Sequence, residues 1–200
     1  EAGADRVDLE DTDLPRQLHA IREMLNHKAV EKGIELRIRI DPALPPLVHA
    51  PRRAIHQILV NLVANAIKFT DAGHVAFGVE AVAGDRDAAW IALVVTDTGC
   101  GLSDAAQQRV FESFTQADDT ATRRHGGSGL GLAIVKHLVE TAGGTLDLES
   151  AVGVGTRFTI ALPVRALPDP DLPPNAHVAV HGAPDPVLDA HLRALAVGRI

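Results

Sequence analysis

The 200-residue chain contains a single cysteine, Cys100. One thiol excludes an internal disulfide, and without neighbouring cysteines or clustered histidines at ligand spacing it gives no structural zinc site. No apolar stretch approaches the roughly 20 residues needed to cross a bilayer, and Glu1 to Glu10 is acidic where a signal peptide is basic and then apolar. A soluble, cytoplasmic chain in a reducing compartment is therefore expected. Long Lys/Arg runs are missing too, and the formal net charge is −7, which argues against a protein that holds nucleic acid by neutralising phosphates. Charged residues make up only 22% of the chain and hydrophobic ones 46%. That balance is enough to bury one substantial core, so one main domain is expected.

The hydrophobic pattern orders that domain. Leu14, Leu18, Ile21, Leu25 and Ala29 fall at helical spacing up to the stop at Gly33. Ile34 to Ile40 alternates as a strand does, and Asp41 to Pro46 reads as a turn. From Arg52 to Phe69, residues Ile55, Ile58, Leu59, Leu62, Val63 and Ala66 mark a strong amphipathic helix. Strands are expected at His74–Val82 and Trp90–Thr96, around a polar turn at Gly84–Arg86, and then a short helix at Ser103–Phe111. Thr115 to Ser128 is polar and without apolar period, the pattern of a mobile loop. A helix at Gly129–Thr141 and strands at Gly144–Glu149 and Thr156–Leu162 complete the set. Consecutive strand pairs interspersed with helices predict an α/β (α+β) two-layer sandwich, its mixed, mostly antiparallel sheet packed against helices. Beyond Pro163 the prolines thicken. Residues 165–175 read as a Pro-rich linker, and 176–200 as the start of a truncated further domain.

Three stretches carry polar residues where chemistry could use them. Asn61, Asn65 and Lys68 stand at i, i+4 and i+7, a polar stripe flanking the apolar face of their helix. Two amide oxygens and an ammonium there could share a Mg²⁺ shell with phosphates; an ordinary half-exposed helix face is the plainer alternative. Asp97 ends a buried strand and is followed by Gly99 and Gly101. A carboxylate there can accept from an exocyclic amine, and the glycines open the backbone to a flat ring, although Asp-x-Gly is also common turn chemistry. His125 to Ile134 is a glycine-rich loop entering a helix, where free N–H groups and the helix dipole suit phosphate oxygens. It is neither a Walker loop nor a Rossmann turn, and a flexible hinge has the same composition.

Taken in order, Asn61-x-x-x-Asn65-x-x-Lys68, Asp97-x-Gly99-x-Gly101, Phe111-x-x-Phe114, Gly127-Ser128-Gly129-Leu130-Gly131-Leu132 and Gly153-x-Gly155-Thr156 resemble the N, G1, F, G2 and G3 boxes of the histidine kinase catalytic domain. That domain belongs to the GHKL superfamily with its Bergerat ATP-binding fold, and the resemblance runs from about Leu9 to Val164. It implies ATP and Mg²⁺ as cofactors. Asn65, with Asn61 beside it, would ligate the metal, and Lys68 would lie near the phosphates, which makes Asn61 and Lys68 the candidate catalytic residues. Asp97 would bind the adenine amino group, with Gly99, Gly101 and Thr156 around it. Phe111 and Phe114 would anchor a lid spanning Thr115–Ser128, whose Arg123, Arg124 or His125 would reach the phosphates. Gly127, Gly129, Leu130 and Gly131 would present amide donors. Cys100 stands where the family has an aliphatic residue and is expected to act as a small hydrophobe lining the pocket. His49-Ala50-Pro51 replaces a Gly-Asp ahead of Arg52 and is expected to alter the start of that helix.

Related ATPases of the superfamily, gyrase and the heat-shock chaperones, carry a glutamate at the position of Asn61. An amide cannot take a proton from water, so phosphotransfer to a histidine is implied rather than hydrolysis. None of the ten histidines sits in the family's acceptor box. Residues 1–8 resemble the end of the dimerisation and phosphoacceptor domain, so that domain is expected upstream as a partner, in a homodimeric full-length kinase that could be anchored in the inner membrane. A receiver domain or response regulator is the other implied partner, and 176–200 fits a receiver-like start without its acidic pair. A catalytically silent interaction module of the same fold is the alternative.

Overall fold

A computed structural model describes residues 8–45, 47–82, 89–111 and 130–167. The long helices follow from their apolar spacing. Helix α1 (Leu14–Glu31) starts on Asp13, whose carboxylate accepts from Arg16 N at 2.9 Å, and stops at Gly33, which takes φ 69°. It buries Leu14, Leu18, Ile21, Leu25 and Ala29. Helix α2 (Arg52–Phe69) buries Ile55, Ile58, Leu59, Leu62, Val63, Ala66 and Ile67. It begins on Pro51 without a side-chain cap. Helices α3 (Asp104–Arg109) and α4 (Gly131–Thr141) are shorter, and α3 ends before the expected Phe111.

Seven strands form one mixed sheet: β1 (Glu10–Thr12), β2 (Glu35–Ile40), β3 (Val48–Ala50), β4 (His74–Val82), β5 (Ala89–Asp97), β6 (Thr145–Ala151) and β7 (Gly155–Ala166). Their order is β1-β3-β7-β5-β4-β2, with β6 also paired to β7. Among the described residues only β2 and β4 run parallel; every other pairing there is antiparallel. Strands β1 and β3, three residues each, were not legible in the sequence because three residues cannot display an alternation. Strand β7 also runs past the expected Leu162 into the linker, where Arg165 and Ala166 pair with His49 and Val48. Pro163 is tolerated inside it because it falls between the end of the β6 pairing, at Ala161, and the start of the β3 pairing, at Arg165.

Register assigns the faces. The rows Ile38–Phe77–Val95–Phe158–Leu148 and Ile40–Val79–Leu93–Ile160–Leu146 run straight across β2, β4, β5, β7 and β6. These rows meet the apolar faces of α1, α2 and α4 in a single core. At about 25 cal/mol per Å² of apolar surface, this layer is the main favourable term holding the sheet to the helices.

Candidate functional site

One row further along the same inner face, the chemistry of the side chains changes. Leu36 and Val75 are followed across the sheet by Asp97, Thr156 and Ser150. Three polar side chains thus face the helix layer at the edge of an apolar core. Asp97 is 8% exposed. Its Oδ1 accepts from Gly99 N at 2.8 Å. Burial pushes the Asp97 carboxyl above the ordinary carboxylate range, while the Gly99 and Thr156 backbone N–H groups pull it the other way. A carboxylate has about four acceptor positions, so these two donors leave it able to accept more.

Ser150 was not singled out in the sequence, yet it joins the parts of this corner. Its Oγ accepts from Leu102 N at 2.8 Å, donates to Gly155 O at 2.9 Å and lies 3.0 Å from Thr156 Oγ1. Gln107 Nε2 adds bonds to Leu102 O at 3.2 Å and Ser150 O at 3.0 Å. The available signal was its parity: Leu146, Leu148 and Ser150 point the same way, so a hydroxyl replaces an inward apolar side chain.

The glycines after Asp97 serve close packing of backbone on backbone. A Cβ on Gly99 would collide with Phe69 O and come within 2.9 Å of Asp97 Oδ1, and one on Gly101, at φ 67°, would collide with Ala151 O. Cys100 N donates to Phe69 O at 3.3 Å, and Gly153 N donates to Cys100 O at 2.8 Å. The Cys100 side chain is exposed rather than packed as the expected small hydrophobe. Partial desolvation, and then the nearby Asp97 charge, push its thiol up and away from the reactive thiolate.

Along α2, Asn61, Asn65 and Lys68 are half-buried on the margin of the buried stripe, as their spacing requires. Seven residues of helix separate the first from the last by about 10 Å. Asn61 Nδ2 is buried and, among the described residues, has no hydrogen-bond partner. Gly131, the first residue of α4, faces both amides: a Cβ there would lie 3.7 Å from Asn65 Nδ2 and 3.9 Å from Asn61 Oδ1. Among the described residues no side chain caps this helix start, where Leu130 is the N-cap, and the positive end of a helix suits an anion. Lys68 Nζ stands 4.7 Å over the Phe69 ring, and burial lowers its pKa.

These fragments converge. The Asp97 turn rests on the end of α2 through Phe69 O, and the start of α4 rests on its middle through Asn61 and Asn65. Phe111 packs edge-on against Phe158, with ring centroids 6.3 Å apart, and so belongs to the core margin. Phe114, Arg123, Arg124, His125, Gly127 and Gly129, with the expected lid and the Gly84–Arg86 turn, lie outside the described residues. No group of three or more His, Cys, Asp or Glu side chains among the described residues could hold a metal. The oxygen donors brought together here are the amides of Asn61 and Asn65. They suit a hard cation shared with phosphate oxygens, and Asn61 Nδ2, a buried donor without a partner among the described residues, fits an acceptor such as a phosphate oxygen.

The family described as "Histidine kinase-, DNA gyrase B-, and HSP90-like ATPase" matches residues 50–166. The autoinducer 2 sensor kinase/phosphatase LuxQ of Vibrio cholerae is 38% identical over 197 residues, 98% of this chain and 23% of that protein. Hybrid signal transduction histidine kinase L of Dictyostelium discoideum is 38% identical over 164 residues, 81% of this chain and 10% of its own length. The chain thus spans less than a quarter of either relative. Among solved structures, full-length ShkA in complex with AMPPNP superposes with a TM-score of 0.72 at 34% identity, covering 84% of this chain and 34% of that one.

Proposed function

Because the chain belongs to the histidine kinase-, DNA gyrase B- and HSP90-like ATPase family, we propose that it is the ATP-binding catalytic domain of a sensor histidine kinase, which passes the ATP γ-phosphoryl group to a histidine on an adjoining dimerisation domain. The observation that carries this reading is the joining of a buried carboxylate corner, Asp97–Thr156–Ser150, to the amide stripe of α2 through the Phe69 carbonyl.

In this reading Asp97 accepts a hydrogen bond from the exocyclic amine of adenine, and its burial strengthens that bond by excluding water. Ser150 holds Thr156 and the Gly99–Leu102 turn around the base. Asn61 and Asn65 would hold Mg²⁺ together with the phosphates; when bound, the ion neutralises phosphate charge. Lys68 meets the same charge, and the uncapped start of α4 donates N–H groups to phosphate oxygens. The acceptor imidazole attacks the γ-phosphorus. An N–P bond forms, the bridging O–P bond breaks, and ADP leaves with the electron pair. Asn61 contributes no base, since an amide cannot take a proton from water, so transfer is favoured over hydrolysis.

The relatives' names, sensor kinase and hybrid histidine kinase, support the acceptor histidine and a receiver domain or response regulator as partners. No helix among the described residues is long and apolar enough to cross a membrane. The test mixes the chain with a dimerisation domain carrying an acceptor histidine, and with its His→Gln variant, under γ-labelled ATP. Acid-labile, base-stable label on the first protein alone supports the proposal. Release of free phosphate with no labelled acceptor would make the chain an ATPase instead.

A further inference from the structure

An α-helix leaves its last four carbonyls without intrahelical partners. Helix α2 has no glycine to cap it: Thr70 at the C-cap is extended, with φ −102° and ψ 113°. All four carbonyls are nonetheless met. The Thr70 hydroxyl donates to Ala66 O at 2.8 Å, and Cys100 N donates to Phe69 O at 3.3 Å. The two between them, Ile67 O and Lys68 O, share one donor, the ammonium of Lys32, at 2.8 Å each.

Lys32 is the C-cap residue of α1, so it approaches from another helix. Its own backbone is fixed by the α1 stop: Lys32 N donates to Lys28 O at 3.3 Å, Gly33 N to Val30 O at 3.0 Å and Ile34 N to Ala29 O at 3.0 Å. Asp71 Oδ1 lies 3.7 Å from the ammonium, but with its side chain 84% exposed this pair adds little. The two carbonyl bonds are charge-assisted, and a cation at this end also opposes the negative pole of the helix.

From this geometry we infer that Lys32 is a positioning residue for the nucleotide site, an inference that rests on the reading proposed above. Lys32 meets the amide stripe at its last backbone carbonyl, Lys68 O, next to where the stripe joins the carboxylate corner. It fixes the turn where they join. Lys68, whose carbonyl it binds, is the last member of the stripe, and Phe69, the next residue, carries the carbonyl that receives Cys100 N and abuts Gly99. Freed from Lys32, this turn loses two of its four hydrogen bonds, and the backbone after Asp97 loses the surface it is built on.

Lys32→Met keeps the aliphatic stem and removes the donors and the charge; Lys32→Arg keeps a cation with several N–H groups able to reach both carbonyls. Amide ¹⁵N–¹H spectra of the parent and both variants without nucleotide, followed by calorimetric titration with Mg-ATP, separate the effects. Lys32→Met is expected to move the Gly99 and Cys100 amide resonances and to weaken Mg-ATP roughly tenfold, with Lys32→Arg returning both towards the parent. If Lys32→Met fails to fold, Lys32→Gln is measured in its place with the same expectation. A folded neutral variant with parental Gly99 and Cys100 resonances and parental affinity overturns the inference, as does Lys32→Arg losing as much as Lys32→Met. A parent that does not bind Mg-ATP defeats the nucleotide reading itself, and the amide shifts then show whether the coupling to Lys32 survives without it.

Discussion

Asp97 sits in a conflict that its surroundings only partly resolve: burial disfavours its charge, and the N–H groups of Gly99 and Thr156 favour it. The net shift is upward from 3.8, which fixes the sign of two pH effects. A carboxyl whose folded pKa lies above its unfolded value costs stability when ionised, so the fold gains stability relative to Asp97→Asn as pH falls through the raised pKa towards the ordinary one. Over the same window the protonated carboxyl loses an acceptor, so nucleotide affinity declines with falling pH in the parent and not in Asp97→Asn. Thermal melts and calorimetry of the two proteins across that range read both slopes. At Ser150 the expectation concerns position. Ser150→Ala strips Leu102 N and Gly155 O of a partner and is expected to cost about 1–2 kcal/mol of stability and to weaken ATP binding. Equal affinity in Ser150→Ala would remove it from the site.

At the scale of elements, legibility followed length and periodicity. The spacing of Ile55 to Ala66 predicts α2 over Arg52–Phe69, and α2 has those bounds. It also places Asn61, Asn65 and Lys68 on the edge of the buried stripe. Strands β1 and β3 were invisible at three residues, and the reach of β7 to Ala166 was masked by Pro163, a residue that reads as a linker until the gap between β6 and β3 shows why it fits. The glycines after Asp97 were legible as necessary, but the collisions that require them, with Phe69 O and Ala151 O, are long-range and unreadable from a turn motif. Gly101→Ala is expected to cost at least about 1–3 kcal/mol, from the left-handed backbone alone, and chemical denaturation measures it. In β7, Ile160→Ala opens a cavity in a fully buried row and should cost about 2–5 kcal/mol with the same readout.

At the scale of the molecule, the sheet supplies one half of the site and the helix layer the other, and the two meet only because a row of the inner face turns polar where α2 ends. Each half was visible in the sequence as a motif with a plain alternative, a turn or a half-exposed face. Their junction was not, because Phe69 O, Ser150 and Lys32 act through backbone groups and across sequence separations that no local pattern carries. On the proposed reading this junction is an ATP site. Calorimetric titration of Mg-ATP into the parent, Asp97→Ala and Asn65→Ala tests it most directly. The parent is expected to bind and each variant to lose roughly tenfold to a hundredfold in affinity, with melting of each variant still cooperative. Parental affinity in both substituted proteins, or no binding by the folded parent, would contradict it.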